Sequence, residues 1–368
     1  MDTEQNRSKN YNRIKIITGI THAVLMLLTV TFYVYTGFSK TVYSAASGIS
    51  ENGFISFFIF SLLSMAGISL LFLPLNFYSS YMLEHRFGLS NQTLTVWIKE
   101  NLKGSAVGLL FGVPVLSAFY YILNTYGELW WFPFAVFMFL FSVVLSQIVP
   151  VYILPLFYKL TPVEDADLIE SVKRMGKEAG LSIVNVFSFD MSKNTRKANA
   201  AFTGLGRSKR ILLGDNLLNN FTPEEIETVL AHEFGHYKYK HITKNIITGT
   251  VFSFLQLFLI SLFYSFLSQK AGSGNIMYAP DLPLIITAGM IISALFTPAG
   301  NYISRKYEYE ADEYAVKATG KPDDFITALK KLTGRNLGDE NPHPFVEWYF
   351  YSHPSTLKRG EAVKKLLL

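Results

Sequence analysis

Cysteine is absent from the 368 residues, so disulfide frameworks and thiolate metal sites are excluded, and any metal must be held by histidines and carboxylates. Charge is scarce as well: Asp, Glu, Lys and Arg make up 17% of the chain, against about 25% in an ordinary soluble domain. There is no internal repeat and no low-complexity tract. The net charge of +5 comes without any nucleic-acid motif, so no nucleic-acid partner is expected. The apolar run after the basic start MDTEQNRSKNYNRIK lacks a small-residue cleavage site, which points to a first membrane helix rather than a removable signal peptide.

The chain is rich in apolar residues, with 50% hydrophobic and 15% aromatic. Six runs, near residues 16–38, 53–79, 104–124, 129–157, 244–268 and 282–303, are long enough to cross a hydrocarbon core, which needs about 20 apolar residues. They are nearly free of charge, unlike the one-sided helices of a soluble core. The expected fold class is therefore an α-helical integral membrane protein, with about six transmembrane helices and, between the fourth and fifth, a small cytoplasmic α+β insertion that the HEFGH sequence at its end marks as zincin-like and catalytic. With the basic N-terminus inside, the outer loops carry only Lys40 and Lys270, and the other 31 of the 33 Lys and Arg lie on the inner side. Both termini and the segment 158–243 are thereby expected in the cytoplasm. The expected layout is four spans in 1–158, a catalytic insertion in 159–243, two further spans in 244–303 and a cytoplasmic segment in 304–368.

Within the insertion, TPVEDADLIESVKRMGKEAGLS has helical spacing with a glycine stop, IVNVFSFDM alternates like a strand, and NAAFTGLGRSKRILLGDNLL reads as a strand pair turned by glycines. FTPEEIETVLAHEFGH then starts a helix: Thr222 is placed to cap it, Pro223 to occupy its first position and Glu225 to complete a capping box. That helix is expected to run on into the fifth span.

Residues four apart share a helical face, so His232 and His236 of HEFGH can grip one ion while Glu233 projects beside it as a general base. A further histidine six positions after the second is lacking, since Ile242 stands there, and His241 reads as an interfacial histidine. The better source of a third ligand is NYISRKYEYEADEYAVKATG, where Glu308 and Asp312 share a face. One of the two could ligate while the other orients a ligand histidine.

HEFGH, two spans and then SRKYEYEAD, together with YMLEHRFGLSNQT at 81–93, LPLFYKLTPVED at 154–165, NAAFTGLGRSKRILLGDNLL at 199–218 and SHPSTLKR at 352–359, resemble the CAAX prenyl protease 1 family over nearly the whole chain. Members of that family are membrane-spanning zinc metalloendopeptidases that trim prenylated proteins. The resemblance implies Glu308 as the third zinc ligand, Asp312 as its supporting acid, and one Zn2+ per chain. It also implies His353 and Arg359 at the reacting centre, and Asn199 on a strand edge that pairs with substrate backbone. Two departures stand out: six spans where animal and yeast members have seven, and Ala201 in NAA where an aromatic is usual. The implied partners are the bilayer and a membrane-associated or lipidated peptide. A prokaryotic plasma membrane is favoured over the endoplasmic reticulum. The rival readings are a heat-shock-type membrane quality-control protease and a scaffold or transporter with a relic metal site.

Overall fold

The computed structural model describes residues 2–180, 185–203 and 210–367. Its N-terminal region consists of α1 (Asp2–Tyr35), α2 (Phe38–Ile49), α3 (Gly53–Phe77), α4 (Leu94–Tyr126) and α5 (Trp131–Ile148). The central region carries β1 (Leu160–Pro162), α6 (Ala166–Glu178), β2 (Asn185–Phe189), β3 (Ala200–Thr203), β4 (Arg210–Gly214) and α7 (Pro223–Lys238). There follow α8 (His241–Ala271), α9 (Leu284–Thr319), α10 (Pro322–Arg335), α11 (Pro344–Phe350) and α12 (Thr356–Lys365).

All six expected spans are helices long and apolar enough to cross a membrane. Only 6% to 22% of each apolar window is buried inside the protein, so these helices turn their side chains outward, as lipid-facing helices do and core helices do not. Their ends are capped where the sequence supplies a cap. Asn52 Oδ1 accepts from the backbone N–H of Phe54 and Ile55 at the start of α3, and Thr93 Oγ1 accepts from Val96 N at the start of α4.

The small sheet has the order β1-β2-β4-β3, with β2 and β4 parallel and the two outer pairs antiparallel. Its β3–β4 pair is the strand pair read from the glycine-rich stretch; the connecting turn, 204–209, lies outside the described residues, as do Ile183 and Val184 of the expected β2 stretch. One face of the sheet packs on α6 and α7 through Val172, Ile211, Leu213, Leu230 and Phe234, and Phe325 of α10 closes the cluster from the far side. The motif helix is therefore gripped on two sides by an apolar core, which fixes its rotation. Its start follows the sequence rules: Thr222 and Glu225 form a reciprocal capping box, with Pro223 in the first turn.

One expectation fails. The motif helix does not run into the fifth span. It ends at Lys238, Tyr239 follows in a non-helical conformation, Lys240 adopts a left-handed one with φ 57°, and α8 begins afresh at His241. A lysine in that region is uncommon and gives no signal in the sequence. The sixth span behaves differently, since α9 continues unbroken from Leu284 through Glu308 to Thr319 and carries the acidic pair directly out of the apolar run.

Candidate active site

Helices α7 and α9 cross at Gly235. A Cβ built there would lie 2.9 Å from Ala311 Cα and 3.1 Å from Ala311 O, so only glycine permits this approach. The crossing brings together side chains far apart in sequence. His232 Nε2 and His236 Nε2 are 3.2 Å apart, and Glu308 places Oε2 3.4 Å from the former and Oε1 3.3 Å from the latter. These three residues form a group whose donor atoms all lie within 4.8 Å of one another.

Asp312, one turn beyond Glu308, stands behind His232, whose Nδ1 is 2.9 Å from Asp312 Oδ1. A carboxylate only accepts, so Nδ1 carries a hydrogen and Nε2 is the nitrogen left to offer a lone pair to a cation. Arg359 fixes Asp312 in turn, donating from Nε to Oδ2 at 2.8 Å and from Nη2 to Oδ1 at 2.5 Å, a bidentate pair. Its Nη1 lies 3.3 Å from Glu308 Oε2. His353 enters from the loop before α12, with Nε2 3.4 Å from Glu308 Oε1. Its side chain is 64% exposed, the most open of the group.

The residues fit a divalent cation. Glu308 Oε2 is buried and accepts no hydrogen bond from any described residue, while the Nε2 atoms of two imidazoles converge on the same carboxylate. Only a positive centre reconciles those atoms. Charge leads to the same conclusion. Glu233, Glu308 and Asp312 bring three carboxylates against the single guanidinium of Arg359, which the Glu233 charge also reaches. Burial lowers the pKa of His232, but the Asp312 and Glu308 carboxylates beside it outweigh burial and push the ring up to about 10. The cluster thus draws positive charge onto the very ring that a metal would occupy.

Asn199 directly precedes β3, one of the two edge strands of the sheet, and its carbonyl oxygen accepts from Gly214 N at 2.9 Å. β3 packs beside α7, so the sheet edge runs along the motif helix. His241 is placed otherwise than the sequence suggested: it is 1% exposed and its Nδ1 lies 2.9 Å from His236 Nδ1, so it is no interfacial residue. Gly235 was also legible only in part. A glycine inside a capped helix costs about 1 kcal/mol against alanine, which is the one hint of a close approach.

A polytopic helical bundle with a two-helix His/Glu centre at the end of its last span defines a membrane metalloendopeptidase. The comparisons make the family specific. The model of peptidase family M48 matches residues 162–367, and the model described as CAAX prenyl protease N-terminal, five membrane helices, matches 1–159. CAAX prenyl protease 1 of Saccharomyces cerevisiae is 32% identical, with 98% of this chain and 86% of the yeast protein aligned. The Homo sapiens homologue is 30% identical over 84% of this chain and 73% of its own length. The crystal structure of S. mikatae Ste24p superposes with a TM-score of 0.87 at 29% identity, covering 99% of this chain and 89% of that one. The chain belongs to the CAAX prenyl protease 1 family.

Proposed function

We propose that the protein is a zinc endopeptidase that cuts near the C-terminus of membrane-associated peptides, prenylated ones by preference. The observation that carries this reading is the convergence of His232 Nε2, His236 Nε2 and both oxygens of Glu308, with Glu233 on the same helix and β3 at the edge of the described sheet. His232, His236 and Glu308 would hold one Zn2+, which when bound polarises the scissile carbonyl and makes water acidic enough to attack near neutral pH.

Glu233 takes the proton of the attacking water and passes it to the leaving amine. His353, open to the cleft, is the donor best placed for charge that grows on the carbonyl oxygen. Arg359 acts mainly through its grip on Asp312 and its nearness to Glu308, keeping those carboxylates oriented and offsetting part of their negative charge. Asn199 and β3 offer backbone to an extended substrate strand, which places a peptide along α7. Ala201, small where the family has an aromatic, leaves room beside that strand and loosens side-chain selection. Asn199 lies in one segment and His353 and Arg359 in another, so the layout proposed is a membrane part in 1–158 and 244–303, with the catalytic groups shared between 159–243 and 304–368.

The substrate reading is tested with purified protein and two peptides that differ only in a prenyl group, the products being mapped by mass spectrometry. Both are expected to be cut, the prenylated one faster. Survival of both peptides while unfolded membrane proteins are degraded would replace this reading by the quality-control one. Zinc binding without any hydrolysis would leave a scaffold.

We further propose that the site faces the cytoplasm, on the strength of the 31-to-2 distribution of basic residues. With no native cysteine, single introduced ones report cleanly. Glu164 is exposed and caps nothing, whereas the neighbouring Asp165 caps α6 by accepting from Leu168 N. In intact cells Glu164→Cys is expected to resist an impermeant maleimide that labels Lys270→Cys. The reverse pattern would invert the topology.

A further inference from the structure

The two histidines of the motif are not oriented by the same device. Asp312 orients His232, but nothing so far described fixes His236. We propose that His241 and Glu310 do so, as positioning residues forming a carboxylate–imidazole–imidazole relay that presents His236 Nε2 to the metal; the inference rests on the zinc reading of the preceding subsection.

The chemistry follows from counting hydrogens. Glu310 Oε2 lies 2.9 Å from His241 Nε2, and an ionised carboxylate has no hydrogen to give, so His241 Nε2 is the donor. A neutral His241 then has a lone pair on Nδ1. That atom is 2.9 Å from His236 Nδ1, so His236 donates there and its hydrogen sits on Nδ1. His236 Nε2 is left as a lone pair, aimed at the centre shared with His232 and Glu308. Each link fixes the tautomer of the next, and the series ends on a metal ligand.

The surroundings are built to hold this arrangement. His241 is 1% exposed and stacks on Tyr307, with ring centroids 4.2 Å apart and planes 12° from parallel. Glu310 stands 3.7 Å from Lys244 and 3.9 Å from Lys306, a setting that keeps it ionised as an acceptor. Tyr307 and Glu310 belong to α9, as does Glu308, so one helix supplies a ligand together with the support of a ligand on α7. The break between α7 and α8 also gains a purpose. On an unbroken helix, position 241 would sit about 140° around the axis from 236 and face away from it. The left-handed turn at Lys240 folds the start of α8 back, so that His241 meets the rear of the His236 ring.

The test measures zinc affinity of the full-length protein in detergent, by competition with a chromophoric chelator, together with the visible absorption bands of the cobalt-loaded form. His241→Phe keeps the stacking on Tyr307 and removes the acceptor; it is expected to weaken zinc by about 10- to 100-fold and shift the cobalt bands. His241→Gln can still accept from His236 Nδ1 through its amide oxygen and is expected to restore most of the affinity. If His241→Phe does not fold, Glu310→Gln decides: it keeps the shape but removes the charge, and should weaken zinc by about tenfold. Wild-type affinity in Glu310→Gln, or in a folded His241→Phe, would overturn the relay, and so would equal losses in the Phe and Gln variants. Failure of the wild-type protein itself to bind zinc would instead overturn the metal reading.

Discussion

Replacing Glu233 by Gln is expected to yield a protein that still binds zinc and cuts almost nothing. Glu233 sits between the two histidines on α7 but lies outside the converging group of donor atoms. Removing its charge therefore takes away the base and leaves every ligand in place. General acid–base catalysis is worth about 10²- to 10⁴-fold, and turnover should fall by that amount or more because the same group also serves the leaving amine. Glu308→Gln should behave in the opposite way. Its oxygens face His232 Nε2, His236 Nε2 and Arg359 Nη1, and an amide there places a donor toward the guanidinium and removes an anionic ligand. Loss of even an outer partner costs about 10- to 100-fold in metal affinity, so loss of this ligand should exceed it. Metal analysis of the two purified variants, beside wild type, distinguishes the roles. Equal zinc content in both, or equal loss in both, would mean that base and ligand have been misassigned.

The difference between those two carboxylates was half legible in the sequence. The spacing of His232, Glu233 and His236 assigns their faces once a helix is granted, because helical geometry is local. Glu308 and Asp312 also share a face by spacing alone, yet which of them meets the histidines depends on how α9 crosses α7. That crossing is set by packing at Gly235 and Ala311, which no periodicity records. The spans were the easiest part to read, since an apolar run of sufficient length has few alternatives. The break after Lys238 was hidden because neither Tyr239 nor Lys240 is a breaker; tertiary contacts of His241 with His236, Tyr307 and Glu310 hold the turn instead. Strand order was likewise beyond reach. β2 and β4 are parallel neighbours with β3 outside them, and only that order leaves β3, next to Asn199, at the rim beside the motif helix.

Gly235→Ala is expected to weaken the zinc site strongly although it touches no ligand. The added Cβ meets backbone atoms of Ala311 at 2.9 and 3.1 Å and Tyr314 Cβ at 3.2 Å, none of them the free end of a flexible side chain. The helices must separate. Gly235 directly precedes His236 on α7, and Ala311 lies between Glu308 and Asp312 on α9, so separation pulls the imidazoles away from the carboxylate that completes the group and the one that orients His232. Alanine gains about 1 kcal/mol in helix propensity, and overpacking costs about 1 to 3 kcal/mol, so the net loss of stability should not exceed about 2 kcal/mol. The metal site has no such compensation, because donor atoms on two helices must keep their spacing to a few tenths of an ångström. An affinity loss of about tenfold or more is expected, with cleavage falling in parallel. Gly249→Ala is the control: a Cβ there meets nothing within 4 Å, so it gains the same propensity in α8 without a clash and should bind zinc as wild type does. Zinc affinity and thermal unfolding of the metal-free forms separate the two effects. Gly235→Ala with wild-type affinity would show that the close contact of α7 and α9 does not set the distance between the ligands.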